Sequence, residues 1–83
     1  MEKSAFNKTL GAYIRKTRID KGFTQQQLAD KMGLDYQYIS RIERGLISPT
    51  LYWIMDLTKA LECEEIEFLT NFIYFKANQF EKK

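Results

Sequence analysis

The sequence predicts an all-α domain, and three observations carry that expectation. Apolar residues recur at helical spacing through most of the 83 residues. Helix starts and stops are written locally, as Ser, Thr or Asp before the apolar-periodic runs and Gly after them. No run alternates apolar and polar residues with turn chemistry around it, so strand signals are absent. The length suits one domain, 1–83, at a size where a single apolar core is only marginally sufficient.

The first helix is expected from about Ser4 to Lys21, with Phe6, Leu10, Tyr13, Ile14 and Thr17 at helical spacing and Gly22 ending it. Thr24 can N-cap a second helix, and Gln27 can reach back to it as a capping box. Leu28, Ala29 and Met32 then share a face, and Gly33 supplies the left-handed residue that ends the helix. Asp35 caps a third helix and Gly45 is placed to end it. Ser48-Pro49-Thr50 breaks the chain, and Thr50 caps a fourth helix to Leu61 that aligns Leu51, Ile54, Met55, Thr58 and Leu61. A core of residues 8–62 is then followed by a C-terminal helix over about 64–80.

Residues 24–45 are the most informative stretch. Two helices joined by a short glycine turn form a helix-turn-helix, which sets its second helix in the DNA major groove. At roughly 100° per residue, Ile39 and Ile42 point together toward a core while Tyr36, Gln37, Ser40, Arg41 and Arg44 occupy the opposite arc. That arc holds no carboxylate. A solvated helix face would mix Glu with Lys to gain i,i+4 pairs. These side chains can instead hydrogen-bond base edges, Arg to guanine and Gln to adenine.

Residues 10–61 closely resemble the Cro/repressor-like helix-turn-helix family of bacterial and phage regulators, the XRE-like type. The matching residues are Leu10-Gly11, Ile14-Arg15, Arg18, Gly22-Phe23-Thr24-Gln25, Leu28-Ala29, Met32-Gly33-Leu34, Tyr38-Ile39-Ser40, Ile42-Glu43, Gly45, Pro49, Leu51, Ile54 and Ala60-Leu61. The resemblance implies five α-helices, with 24–32 and 35–44 as the second and third. It implies that Tyr36, Gln37 and Arg41 read bases with Ser40 nearby, and that Gln25 touches phosphate. Thr24, Arg44 and Thr50, the last through nearby backbone N–H groups, complete the expected phosphate contacts. Arg18 and Glu43 match a pair that forms a partly buried salt bridge. Without the resemblance both read as surface charges. The short all-helical format and the Gly-Leu-Asp…Tyr-Ile-Ser run look like restriction–modification controller proteins.

The chain departs from the family pattern in two places. Leu46-Ile47-Ser48 stands where the loop often carries Lys, Arg or Asn, and Glu62 stands where Gly or Asn normally ends the fourth helix.

Charge is divided unevenly. Residues 1–61 carry ten Lys and Arg against six Asp and Glu, a balance of +4, and residues 62–83 carry three against five, a balance of −2. A basic helix-turn-helix region supports salt-dependent phosphate contacts, to which Arg15, Lys16 and Lys31 can add. Catalysis is not expected: there is no His, no nucleophile–base arrangement, no phosphate-cradling glycine loop and no metal-ligand cluster. Cofactor, metal and small-molecule ligand are likewise not expected. The single Cys63 reads as a small apolar residue. No signal peptide or membrane span is written in the chain, so a cytoplasmic protein is expected.

The tail, IEFLTNFIYFKANQF, is apolar on more than one face. The stripe Ile66–Leu69–Ile73–Ala77–Phe80 can cover the core, which leaves Phe68, Phe72 and Phe75 for a second subunit in a two-fold dimer. Closer wrapping by the first helix in a monomer is the alternative. The function expected is a homodimeric, sequence-specific transcriptional regulator on a pseudo-palindromic duplex DNA site. The alternatives are an antitoxin or a protein-interaction module whose C-terminal helix holds a partner.

Overall fold

Thr24, Asp35 and Thr50 start helices where the sequence places caps. In the computed structural model, which describes residues 1–81 and side chains through Gln79, the order is α1 (Lys3–Asp20), α2 (Gln25–Met32), α3 (Tyr36–Glu43), α4 (Leu51–Ala60) and α5 (Glu65–Glu81). Thr24 Oγ1 accepts from Gln27 N at 3.0 Å, and Gln27 Oε1 accepts from Thr24 N at 2.9 Å, a complete capping box. Asp35 accepts from Gln37 N at 2.9 Å, and Thr50 from Trp53 N at 3.0 Å. Each bond satisfies a backbone donor that the first turn of a helix leaves without a partner.

The core joins one face from every helix. Ile14, Leu28, Ile39, Ile42, Leu57 and Leu61 are essentially fully buried, with Leu10, Tyr13, Ala29, Trp53 and Ile54 around them. Leu51, expected to align inward with Ile54, is exposed at the first position of α4. Glu62 ends α4 in the left-handed region at φ 59°, and its carboxylate meets Lys31 Nζ of α2 at 3.2 Å. That contact ties the unusual cap residue to a neighbouring helix.

The tail reverses the expected assignment of its two stripes. Phe68 and Phe72 are 2% and 8% exposed, and Phe75 packs half-buried beside them. Ile66 and Ile73 are 74% and 60% exposed, Leu69 lies on the same open side, and Ala77 is exposed. Phe80, the last member of that stripe, lies outside the described side chains. The reason is the opposing wall. α1 presents rings: Phe6 meets Phe72 edge-on at 5.6 Å, and Tyr13 lies 5.0–5.5 Å from Phe68, Phe72 and Phe75. Tilted and edge-to-face ring pairs contribute beyond their buried area. Tyr13 Oη also donates to the Phe68 carbonyl at 2.7 Å. Phe68, Phe72 and Phe75 therefore belong to the protomer's own core, wrapped by the first helix, and the dimer role expected of them is withdrawn.

Cys63 is half-buried at the α4–α5 turn. Burial pushes its thiol above the usual value, the nearby Lys21 opposing this and Glu67 adding to it. Among the described residues no helix is long and apolar enough to cross a membrane, and no three potential ligands cluster to hold a metal.

Candidate nucleic-acid interface

Recognition by a helix requires that its first turn be fixed in space, and the turn before α3 does this with backbone chemistry. Gly33 takes φ 69°, ψ 35°, a conformation that costs a side-chain-bearing residue energy. Leu34 N then donates back to Ala29 O at 2.9 Å, closing the end of α2. Two residues later Asp35 caps α3.

The inner side of α3 is locked against α1. A Cβ built on Gly11 would collide with the backbone carbonyl oxygen of Ile42, and would stand 2.6 Å from that of Glu43. Only glycine lets the two helices approach this closely. Two turns further along α1, Arg18 forms a fork with Glu43: Nε to Oε2 at 2.6 Å and Nη2 to Oε1 at 3.0 Å. The remaining guanidinium nitrogen, Nη1, donates to the Phe23 carbonyl at 2.8 Å. The two side chains are 7% and 2% exposed, so the pair sits away from solvent screening.

Gln25, expected on phosphate, donates from Nε2 to Glu43 Oε1 at 3.1 Å. The amide adds a third hydrogen bond to the buried carboxylate and links the start of α2 to α3. Thr24 Oγ1 is engaged as the cap of α2, and Thr50 Oγ1 as the cap of α4. Both side chains hold the first turns of their helices.

The outer side of α3 stays open. Tyr36, Gln37, Arg41 and Arg44 are exposed, and Ser40 is half-buried between them. Arg44 leans back along the helix, its Nε 3.4 Å from the Ser40 carbonyl oxygen. The one carboxylate on α3, Glu43, is buried in the ion pair on the opposite side. The surface offered is thus cationic and polar without an anionic neighbour on the helix, the charge pattern suited to the edge and backbone of a duplex.

Two other basic residues are less available. Lys16 pairs with Asp20 at 2.8 Å, while Lys31 pairs with Glu62 and lies over the Phe23 ring. Arg15 is exposed. Leu46 is exposed in the loop after α3, whereas Ile47 packs against the core.

Two features escaped the sequence. Tyr38, on the third helix but outside the reading arc, stacks edge-on with Trp53 at 5.6 Å and braces α3 against α4. An apolar groove of about 220 Å³ opens between α1, α4 and α5, lined by Phe6, Leu10, Leu51, Ile54, Leu69 and Phe72 among others. The 3,4 spacing of Ile66, Leu69 and Ile73 was the available signal, since it matches one helical seam as well as the aromatic stripe does.

A helix-turn-helix family model matches residues 14–68. An uncharacterized HTH-type transcriptional regulator of Sinorhizobium fredii is 33% identical over 63 residues, 76% of this chain and 82% of that protein. A point variant of the restriction-modification controller protein C.Esp1396I superposes with a TM-score of 0.83 at 34% identity, covering 89% of this chain and 99% of that one. The same controller protein, solved as a tetramer on its natural 35 base-pair operator, superposes at 0.76 with 35% identity, covering 82% and 90%. The turn, the buried fork and these likenesses agree: the chain belongs to the Cro/repressor-like, XRE-type helix-turn-helix family.

Proposed function

We propose that this protein is a sequence-specific, DNA-binding transcriptional regulator of the controller type, acting as a homodimer in the cytoplasm and carrying out no catalysis. The observation that carries the reading is the α3 surface: five polar or aromatic side chains facing outward, no carboxylate among them, on a helix locked from behind by the Arg18–Glu43 fork. Tyr36, Gln37, Ser40 and Arg41 meet base edges. Arg44 and the N–H groups opening α2 and α4, beside Thr24, Gln25 and Thr50, meet phosphates. The operator-bound controller protein supports this use of the fold.

The dimer face is the open stripe of α5, Ile66, Leu69 and Ile73, continued by Leu51 and the adjoining groove. Contiguous exposed apolar surface of this kind marks an interaction site. A two-fold pair would set the two reading helices about 34 Å apart, in successive major grooves of a pseudo-palindromic site.

In vitro selection of random duplex DNA at about 0.1 M salt tests the reading, because nonspecific phosphate binding weakens as salt rises. A two-fold-related motif with half-sites about one turn apart is the expected result. Recovery of no motif by the folded protein would overturn it.

A further inference from the structure

The structure sorts the side chains near the reading face by what already holds them. Gln25 Nε2 is on Glu43, Arg18 is on Glu43 and the Phe23 carbonyl, and Arg44 Nε leans on the Ser40 carbonyl. Gln26 donates to Asp30, and Gln27 completes the capping box. Gln37 and Arg41 differ. Each is exposed, and among the described residues neither side chain makes a hydrogen bond. They are the two planar, two-point hydrogen-bonding groups of α3 that stand uncommitted. The backbone beneath Gln37 is fixed, because its own N–H is held by Asp35.

Their chemistry differs in a way that names the partner. A carboxamide offers one donor and one acceptor side by side, matching adenine N6 and N7. A guanidinium offers two parallel donors, matching guanine O6 and N7. Gln37 and Arg41 are four residues apart, so they lie on one face about 6 Å apart along the helix. Stacked bases repeat every 3.4 Å or so, which makes that separation about two base pairs. Ser40 lies between them, but a short hydroxyl accepts or donates to any base and discriminates little.

We propose that each half-site carries an adenine read by Gln37 and a guanine read by Arg41, about two base pairs apart. The inference rests on the DNA-binding reading above and specifies the base content of the site. The test is selection from a random duplex pool by the wild type and by Gln37→Ala, Arg41→Ala and Arg41→Gln, with far-UV circular dichroism checking that each variant is folded. The expected wild-type motif holds the adenine and guanine at that spacing in both halves. Gln37→Ala should erase the adenine preference alone and Arg41→Ala the guanine preference alone, each by about 5- to 150-fold. Arg41→Gln should turn the guanine preference into one for adenine. A two-fold motif without this pair, or variants that lose preference at the same positions, would overturn the assignment while leaving the regulator reading intact. No motif from the wild type would overturn both.

Discussion

Removing the Glu43 carboxylate tests how α3 is held. Glu43 accepts from Arg18 Nε, Arg18 Nη2 and Gln25 Nε2, and its side chain is 2% exposed. Glu43→Leu leaves the Arg18 guanidinium, 7% exposed, with only the Phe23 carbonyl as partner. Breaking one side of a buried pair costs about 3–5 kcal/mol, chiefly because the other charge remains buried without compensation. A domain of this length has a total stability of about 4–12 kcal/mol, so one substitution removes a large share of it. With a urea slope of about 1 kcal/mol/M, the unfolding midpoint should fall by about 3 M or more. Trp53 is the single tryptophan and is buried, so its fluorescence reports the transition. Arg18→Met combined with Glu43→Leu removes both charges and should recover most of the loss, since an apolar replacement of a buried pair is often neutral or stabilising. A loss below about 1 kcal/mol for Glu43→Leu, or a double variant as unstable as the two singles added, would refute the reasoning.

Three further outcomes follow from the same geometry. Arg44→Ala should weaken binding to operator and random DNA alike and lower the salt slope by about one unit, read from titrations at several salt concentrations; a loss confined to the operator would contradict its phosphate role. Leu69→Lys with Ile73→Glu should yield a folded monomer in sedimentation with much weaker operator binding, and a wild type already monomeric at micromolar concentration would remove the dimer face. Burial raises the Cys63 thiol and the Tyr13 phenol above their usual 9.0 and 10.0, Tyr13 against an opposing hydrogen bond from Thr17. The folded state therefore keeps these protons where the unfolded chain releases them, so stability is full below pH about 9 and falls as pH rises through the raised values. Thermal melts from neutral to strongly alkaline pH should show that fall, with a shallower onset in Cys63→Ala; a flat profile would contradict it.

What was legible in the sequence is what short-range chemistry decides. Thr24 with Gln27, Asp35, Gly33 and Thr50 act within about one helical turn, so cap and stop are read from neighbouring letters. The inward Ile39 and Ile42 and the outward arc follow from helical spacing alone. The Arg18–Glu43 fork spans 25 residues and entered only through family resemblance. The tail was misread because two stripes roughly 140° apart are both apolar, and helical spacing ranks neither above the other. The deciding partner is Tyr13, 55 residues away from the Phe68 carbonyl that it holds. Gln25 shows the same limit. Its position at the start of α2 suits a phosphate, and the carboxylate that takes one of its donors lies 18 residues on, beyond the reach of helical spacing.

α1 does more than close the core, because it carries both attachments that matter to reading DNA. Gly11 and Arg18 fix α3 on one of its sides. Phe6 and Tyr13 fix α5 by rings and by a hydrogen bond. In the proposed dimer the spacing between the two reading helices is therefore transmitted through α1, from the exposed stripe of α5 to α3. Had Phe68, Phe72 and Phe75 formed the subunit contact instead, α5 would lose the ring pairs that these three make with Phe6 and Tyr13 of α1. An aromatic clamp inside the protomer and an aliphatic seam outside it separate the two tasks. Loosening the clamp by Tyr13→Phe, which deletes the hydrogen bond to Phe68 while leaving the ring, should then relax the preferred distance between half-sites and leave the bases read within each half unchanged. Operators with one base pair added between the halves distinguish this from a general loss of stability, which would weaken binding at every spacing alike.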